Sequence, residues 1–311
     1  METISPFLDG LKTICWNLFI GANYESAFLY ALAIVVLFTF YGFYKRGRNR
    51  AWLNKQFKGI GVTIFFVLVN SFGFALFVYM ATEYAQAGYN SLGLPHVSPT
   101  FWADVPLWVT LPLIVLIYDF ANYWNHRLMH MDWLWPVHAI HHSETEMNGM
   151  TTYRVHFLES LVMNLSYVLL LSWLGLPKEA LGIGVLFLSL HNVYTHMDLD
   201  WDHGPFRYLL ASPRFHRWHH ADVPEAHGKN LSNIFPIYDV LFGTYYVPGT
   251  CDVKLGATGV PENDGAKLVL YPFKALYDYL YKVMPVLWRF LSNGMSHVFD
   301  EILRFKKLLR D

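Results

Sequence analysis

Three histidine groups carry the chemistry legible in this chain: His126-Arg-Leu-Met-His130, His138-Ala-Ile-His141-His142 and His216-Arg-Trp-His219-His220. The last two share the pattern H-x-x-H-H. Residues three and four apart lie on one face of a helix, so each group is expected to present its imidazoles in one direction. Eight histidines exceed what one zinc takes, four in a structural site and three in a catalytic one. They fit two metal ions. Chance placement would account for one such group, not for three. Neutral imidazole suits iron, copper, zinc and nickel alike, so spacing alone leaves the metal open. Zinc hydrolysis normally brings a glutamate base, as in H-E-x-x-H, and that pattern is absent. An iron pair held by histidines alone would bind dioxygen, which is chemistry that uses so many ligands.

Further residues extend the site. Asp119 stands seven positions before His126, so Asp119, Tyr123, His126 and His130 form one helical stripe. A carboxylate at the end of an apolar helix is a functional candidate. Its expected task is to accept the second ring N–H of a ligand histidine; the alternative is an ion pair with Arg127. His196 is expected as a ninth ligand. His191, five residues earlier, faces about 140° away on a helix and is left open. His156 reads as a hydrogen-bonding or pocket residue. Glu144 and Glu146 read as a solvated helix end. His96, His203, His227 and His297 have no cluster partners and read as surface residues.

Apolar runs must position these groups. They cover 27–44, 60–81 and 106–124, then a shorter pair, 161–174 and 180–195, broken by Gly175-Leu-Pro177. The first three approach the roughly 20 residues a helix needs to cross hydrocarbon, and the pair reads as a helical hairpin. Lys45, Arg46, Arg48, Arg50, Lys55 and Lys58 place the first loop in the cytoplasm by the positive-inside rule, with residues 82–105 on the other side. All three histidine groups then reach the cytoplasmic face. The tail, 277–309, mixes apolar and basic residues at helical spacing and reads either as an interfacial amphipathic helix or as one packed on the body.

Composition agrees with a membrane protein: 54% of the 311 residues are hydrophobic and only 15% charged, against roughly 25% charged in soluble domains. A net charge of −1 and the lack of a basic tract argue against nucleic acid as a partner. Cys15 and Cys251 offer neither a disulfide framework nor a thiolate metal site. No removable signal peptide is expected.

The stretch from Asp119 to Thr244 resembles the fatty acid hydroxylase/sterol desaturase superfamily of integral-membrane di-iron oxygenases. Asp119-Phe-Ala-Asn-Tyr-Trp-Asn-His126 is similar to the family's entry into its first histidine box. His138–His142 followed by Asn148, Thr151 and Arg154 is similar to the alkylglycerol monooxygenase branch. Ser212-Pro-Arg-Phe-His216-Arg-Trp-His219-His220 leads to Lys229-Asn230 and to Tyr238-Asp239-Val-Leu-Phe-Gly243-Thr244, a variant of the family's ending with Leu231-Ser232 where Tyr-Gly is usual and Tyr238 for Trp. The resemblance implies two iron ions held by histidines, dioxygen as co-substrate and oxidation of a lipid C–H bond, by hydroxylation or by desaturation. It implies an external electron donor of cytochrome b5 or ferredoxin type with its reductase, and functional roles for Asp119, Asn148 and Arg154.

The expected architecture is all-α and integral to the bacterial inner membrane or endoplasmic reticulum, with about four spanning or penetrating helices under a cytoplasmic histidine-rich cap. It divides into membrane-anchor helices (1–105), a catalytic region (106–250) and an amphipathic tail (251–311). Two rival readings remain: a zinc-dependent membrane hydrolase, and a non-catalytic metal- or lipid-binding protein.

Overall fold

The computed structural model describes residues 22–45, 47–176, 178–293 and 307. Cys15, His297 and most of the tail after 293 lie outside the described residues. So do the side chains of 22–32, 71–83 and 178–186, which form much of the first, second and fifth apolar runs. Among the described residues the architecture is helical, with one isolated antiparallel bridge, Ala221 to Leu255, in place of any sheet. Among them no helix is long and apolar enough to cross a membrane.

Five helices form the scaffold: α1 (Ala22–Lys45), α2 (Arg50–Ser91), α3 (Leu107–Met129), and after a short α4 (Trp135–His138), α5 (Phe157–Trp173) and α6 (Lys178–Thr195). Helix α2 is much longer than the apolar run that marks it. Asn49 caps its start by accepting from Trp52 N at 3.1 Å, so most of the basic stretch 45–58 is helical and not a loop. It runs on through Glu83-Tyr-Ala-Gln-Ala87, which are polar but form helix well. Gly93 stops it in the left-handed conformation, φ 63°, which costs glycine little.

Helices α5 and α6 stand where the two arms of the hairpin were expected, and each packs chiefly on a different neighbour. Gly175, φ 62°, ends α5, and Gly175 N donates to Ser172 O at 3.1 Å. Helix α2 packs along α5, and α3 along α6. Ile114, Tyr167, Leu171 and Leu176 are buried between α3 and the hairpin, at about 1.5–3 kcal/mol for each large side chain removed from water. A second core, Val35, Met150, Val193 and Met197, joins α1 and α6 to a 3-10 turn, Gly149–Tyr153. A methyl group on Gly149 would sit 2.6 Å from Met197 Cε and 2.8 Å from Val35 Cγ2, so this close approach requires glycine.

Beyond the hairpin come α7 (Pro213–His219) and α8 (Ile237–Leu241), then α9 (Gly265–Asn293). Ser212 caps α7, accepting from Phe215 N at 3.2 Å, and Pro213 fills its first turn. Helix α9 begins twelve residues before the amphipathic segment read from the sequence, because Asp264 receives the N–H groups of Lys267 and Leu268 through its side chain and carbonyl.

Candidate metal centre

The H-x-x-H-H patterns do not each face one way. Two groups of histidine ring nitrogens form, each within 4.8 Å of one another: His126, His130, His138, His142 and His219, and His141, His196, His216 and His220. The i, i+4 pair of the second box joins the five-membered group and its i+3 histidine crosses to the four-membered one. The third box does the reverse: His216 and His220 go together, and His219 crosses. This reciprocal exchange is what brings two groups side by side. His196, from the end of α6, completes the smaller group as expected. His191 belongs to neither.

Backbone and carboxylate partners set the tautomers. His126 Nδ1 donates to Leu231 O at 2.8 Å, His219 Nδ1 to Lys229 O at 2.8 Å, His196 Nδ1 to Asn192 O at 2.7 Å, and His138 Nδ1 to Glu159 Oε1 at 2.6 Å. Each of these rings therefore turns an unprotonated Nε2 inward. His126 Nε2 and His138 Nε2 are 3.0 Å apart, and two lone pairs at that distance repel unless a cation lies between them. In the second group His216 Nε2 and His196 Nε2 are 2.8 Å apart, and His196 Nε2 and His141 Nε2 3.1 Å. Bonds of about 2.1 Å to one ion at right angles would set neighbouring nitrogens roughly 3.0 Å apart. His130 Nε2 and His219 Nε2 are buried with no hydrogen-bond partner. Burial, with neighbouring imidazoles second, holds His126, His130, His142, His216 and His220 well below the ordinary histidine range, and burial takes His219 down to about 3. A ligand imidazole must be neutral. The residues fit two metal ions.

Asp119 does not accept from a ligand histidine, nor does it pair with Arg127, which donates to Tyr123 Oη. Its carboxylate receives Asn233 N at 3.0 Å, Ile234 N at 3.1 Å and Phe235 N at 2.7 Å. Asp239 receives the two preceding amides, Leu231 N at 2.7 Å and Ser232 N at 2.9 Å. Two buried carboxylates thus hold five consecutive N–H groups, and the loop so fixed presents the Leu231 carbonyl to His126. Asp119 acts through that loop. The task expected of it falls to Glu159, which sequence reasoning passed over; its place three residues after His156 carries no signal of its own. Asn230, at φ 55°, was quoted with the family's ending but given no role. Its side chain donates to Phe215 O and Tyr246 O and accepts from Tyr246 N, which clamps α7 in place.

Asn148 caps the Gly149–Tyr153 turn, accepting from Met150 N at 2.9 Å. Arg154 is fully buried and spends its donors on Ser143 Oγ, Glu144 Oε2 and Glu262 O. Glu144, read as solvated, is buried as the partner of that guanidinium at 2.8 Å. His156 caps α5 through Nδ1 and donates from Nε2 to Val269 O. His227 is exposed, His96 is half-buried with Nδ1 donating to Leu94 O at 3.2 Å, and His203 hydrogen-bonds Tyr194 Oη and Leu210 O.

A polar cavity of about 390 Å³ opens onto the five-histidine group, bordered by His130, His142, His219, Trp135, Asp132 and Asp222. A separate apolar cleft of about 440 Å³ lies between α3 and α6, lined by Leu111, Val115, Leu116, Phe187 and Phe235.

Residues 111–244 match the fatty acid hydroxylase family model. The chain is 31% identical over 179 residues to an ornithine lipid hydroxylase of Rhizobium tropici, covering 56% of this chain and 53% of that protein. It is 28% identical over 222 residues to an alkylglycerol monooxygenase of Xenopus tropicalis, covering 70% and 45%. It is 29% identical over 147 residues to a methylsterol monooxygenase of Arabidopsis thaliana, covering 45% and 55%. The chain thus spans about half the length of these curated relatives. No solved structure matches it. All nine clustered histidines fall inside the stretch that matches the fatty acid hydroxylase family.

Proposed function

We propose that the chain is a membrane-bound di-iron oxygenase that hydroxylates a C–H bond of a lipid, taking dioxygen as co-substrate and electrons from an external cytochrome b5- or ferredoxin-type donor. The observation that carries this reading is the pair of interleaved histidine groups, whose inward Nε2 atoms crowd to about 3 Å of one another. His126, His130, His138, His142 and His219 would hold one iron, and His141, His196, His216 and His220 the other. Such an iron pair supplies oxygen activation and the two-electron oxidation of the C–H bond.

The chain's own residues orient and exclude. Glu159 keeps the proton on His138 Nδ1, so Nε2 stays a donor to metal. The loop 231–235, held by Asp119 and Asp239, does the same for His126 and lends Phe235 to the apolar cleft, where an acyl chain would lie. The cavity beside His130 would give small molecules access to the five-histidine group, in which His130 is the half-buried member and the other four are buried. The relatives' names point to lipids with diverse head groups, so the lipid class is left general. Electrons from a cytoplasmic donor would need the site at the cytoplasmic face, and the basic residues between α1 and the first turns of α2 support that reading by the positive-inside rule.

Metal analysis of anaerobically purified protein should approach about two irons per chain, with oxygen consumed only when lipid and reductant are both present. A single equivalent with full activity, or zinc-supported turnover without oxygen, would sink the reading. Glu159→Gln should weaken metal retention and activity by about 10–100-fold, the usual cost of losing the carboxylate behind a ligand histidine. Metal content after dialysis against a chelator reads this directly; retention equal to the parent protein would remove Glu159 from the site.

A further inference from the structure

Helix α9 has three faces. Leu268 and Pro272 are buried against the body, with Leu268 packed on Phe66 and Ile140. Lys274, Asp278 and Lys282 form a polar, exposed arc. The remaining arc is apolar and open: Leu270 (64% exposed), Phe273, Tyr277 (67%), Leu280, Tyr281 (73%) and Met284. At 100° per residue these six span roughly 100° of the helix, the width of a face that is normally buried.

The occupant can be read from what surrounds that face. Helix α2 exposes Phe57, Ile64, Phe65 and Leu68 at helical spacing, and Phe65 lies against Gly265 at the start of α9. Between the two helices runs an open groove of about 720 Å³, floored by Val62, Phe65 and Ala266 and rimmed by Lys55 and Lys58. Glu262 also borders it, with its carboxylate engaged by Thr145. The two apolar faces are therefore continuous, and lysines edge both. Tyrosine and lysine beside an apolar arc suit the boundary between hydrocarbon and head groups. A seam between two copies of the helix would favour aliphatic residues where Tyr277 and Tyr281 stand.

We propose that α9 lies in the plane of the membrane surface, with Leu270, Phe273, Tyr277, Leu280, Tyr281 and Met284 in the bilayer and the lysine-rimmed groove against anionic head groups. This rests on the reading of the chain as membrane-bound, and goes beyond it by assigning a lipid contact to a helix outside the matched catalytic region. A chain lacking Cys15 and Cys251 would carry one environment-sensitive fluorophore at Tyr281→Cys, Asp278→Cys or Leu68→Cys. The full-length protein is placed in phosphatidylcholine nanodiscs, with or without phosphatidylglycerol, and quenched with lipids spin-labelled near the head group.

The label at Tyr281 should shift to the blue and lose emission to the quencher, more so with phosphatidylglycerol, while the label at Asp278 does neither. Quenching at Leu68 without quenching at Tyr281 would overturn the α9 proposal and leave membrane association standing. Quenching at neither would overturn both. A blue shift at Tyr281 without quenching would also overturn it: cross-linking between chains would then assign the face to a second copy, and none would assign it to another segment of this chain.

Discussion

His219→Ala and His141→Ala are each expected to abolish lipid oxidation while leaving a folded chain that still associates with membrane. A methyl group offers no lone pair, and each substitution breaks a different group: His219 is one of five, His141 one of four. Metal content should therefore fall from about two equivalents toward one in either variant, since a site short of a ligand competes poorly for its ion. The fold should survive. The amides around the site are held by Asp119, Asp239 and Asn230, not by histidine, and the local cost in His219→Ala is one unpaired carbonyl, Lys229 O, at about 1–3 kcal/mol. Metal analysis, oxygen consumption and far-ultraviolet circular dichroism would be measured together. Substantial turnover, or unchanged metal with a native spectrum, would take that residue off the ligand set.

All nine clustered histidines were legible in the sequence because ligand chemistry restricts residue type and helical spacing restricts position. Their division was not. The rule that residues three and four apart share a face holds to within a turn, yet the i+3 histidine diverges enough here to join a different histidine group, and only the facing box shows which. Asp119 illustrates a different limit. Its depth in an apolar helix announced a buried carboxylate needing partners, but those partners are backbone amides more than a hundred residues away, and amides leave no mark in composition. Glu159 had the converse problem, an ordinary residue type given its role by the ring it meets. Helix lengths failed where apolarity stood proxy for them: α2 continues through polar helix formers, and α9 starts at a cap that hydropathy does not register.

Removing one partner of the Arg154–Glu144 pair should destabilise the protein by about 3–5 kcal/mol, whereas replacing both with apolar residues of similar size should restore most of that loss. The pair lies wholly inside the protein, under 2% exposed on either side. Burial works against both charges, pushing Glu144 up to about 7 and Arg154 down, while each partner pulls the other back. An uncompensated charge left there has no water to turn to: a methyl group on Gly59 of α2 would already sit 2.5 Å from the Glu144 carboxylate. The arrangement also matters to the metal centre, because Arg154 Nε holds Ser143 Oγ at 2.9 Å, directly after His141 and His142. Arg154→Met and Glu144→Leu should each lower the melting temperature in detergent and loosen metal from both groups, and the double variant should recover stability. If the double variant were stable and metal-loaded yet inactive, Arg154 or Glu144 would have a part in the reaction, as the resemblance to the alkylglycerol monooxygenase branch implies for Arg154. Recovery of activity alongside stability would fix the pair as a staple that aims the second histidine box.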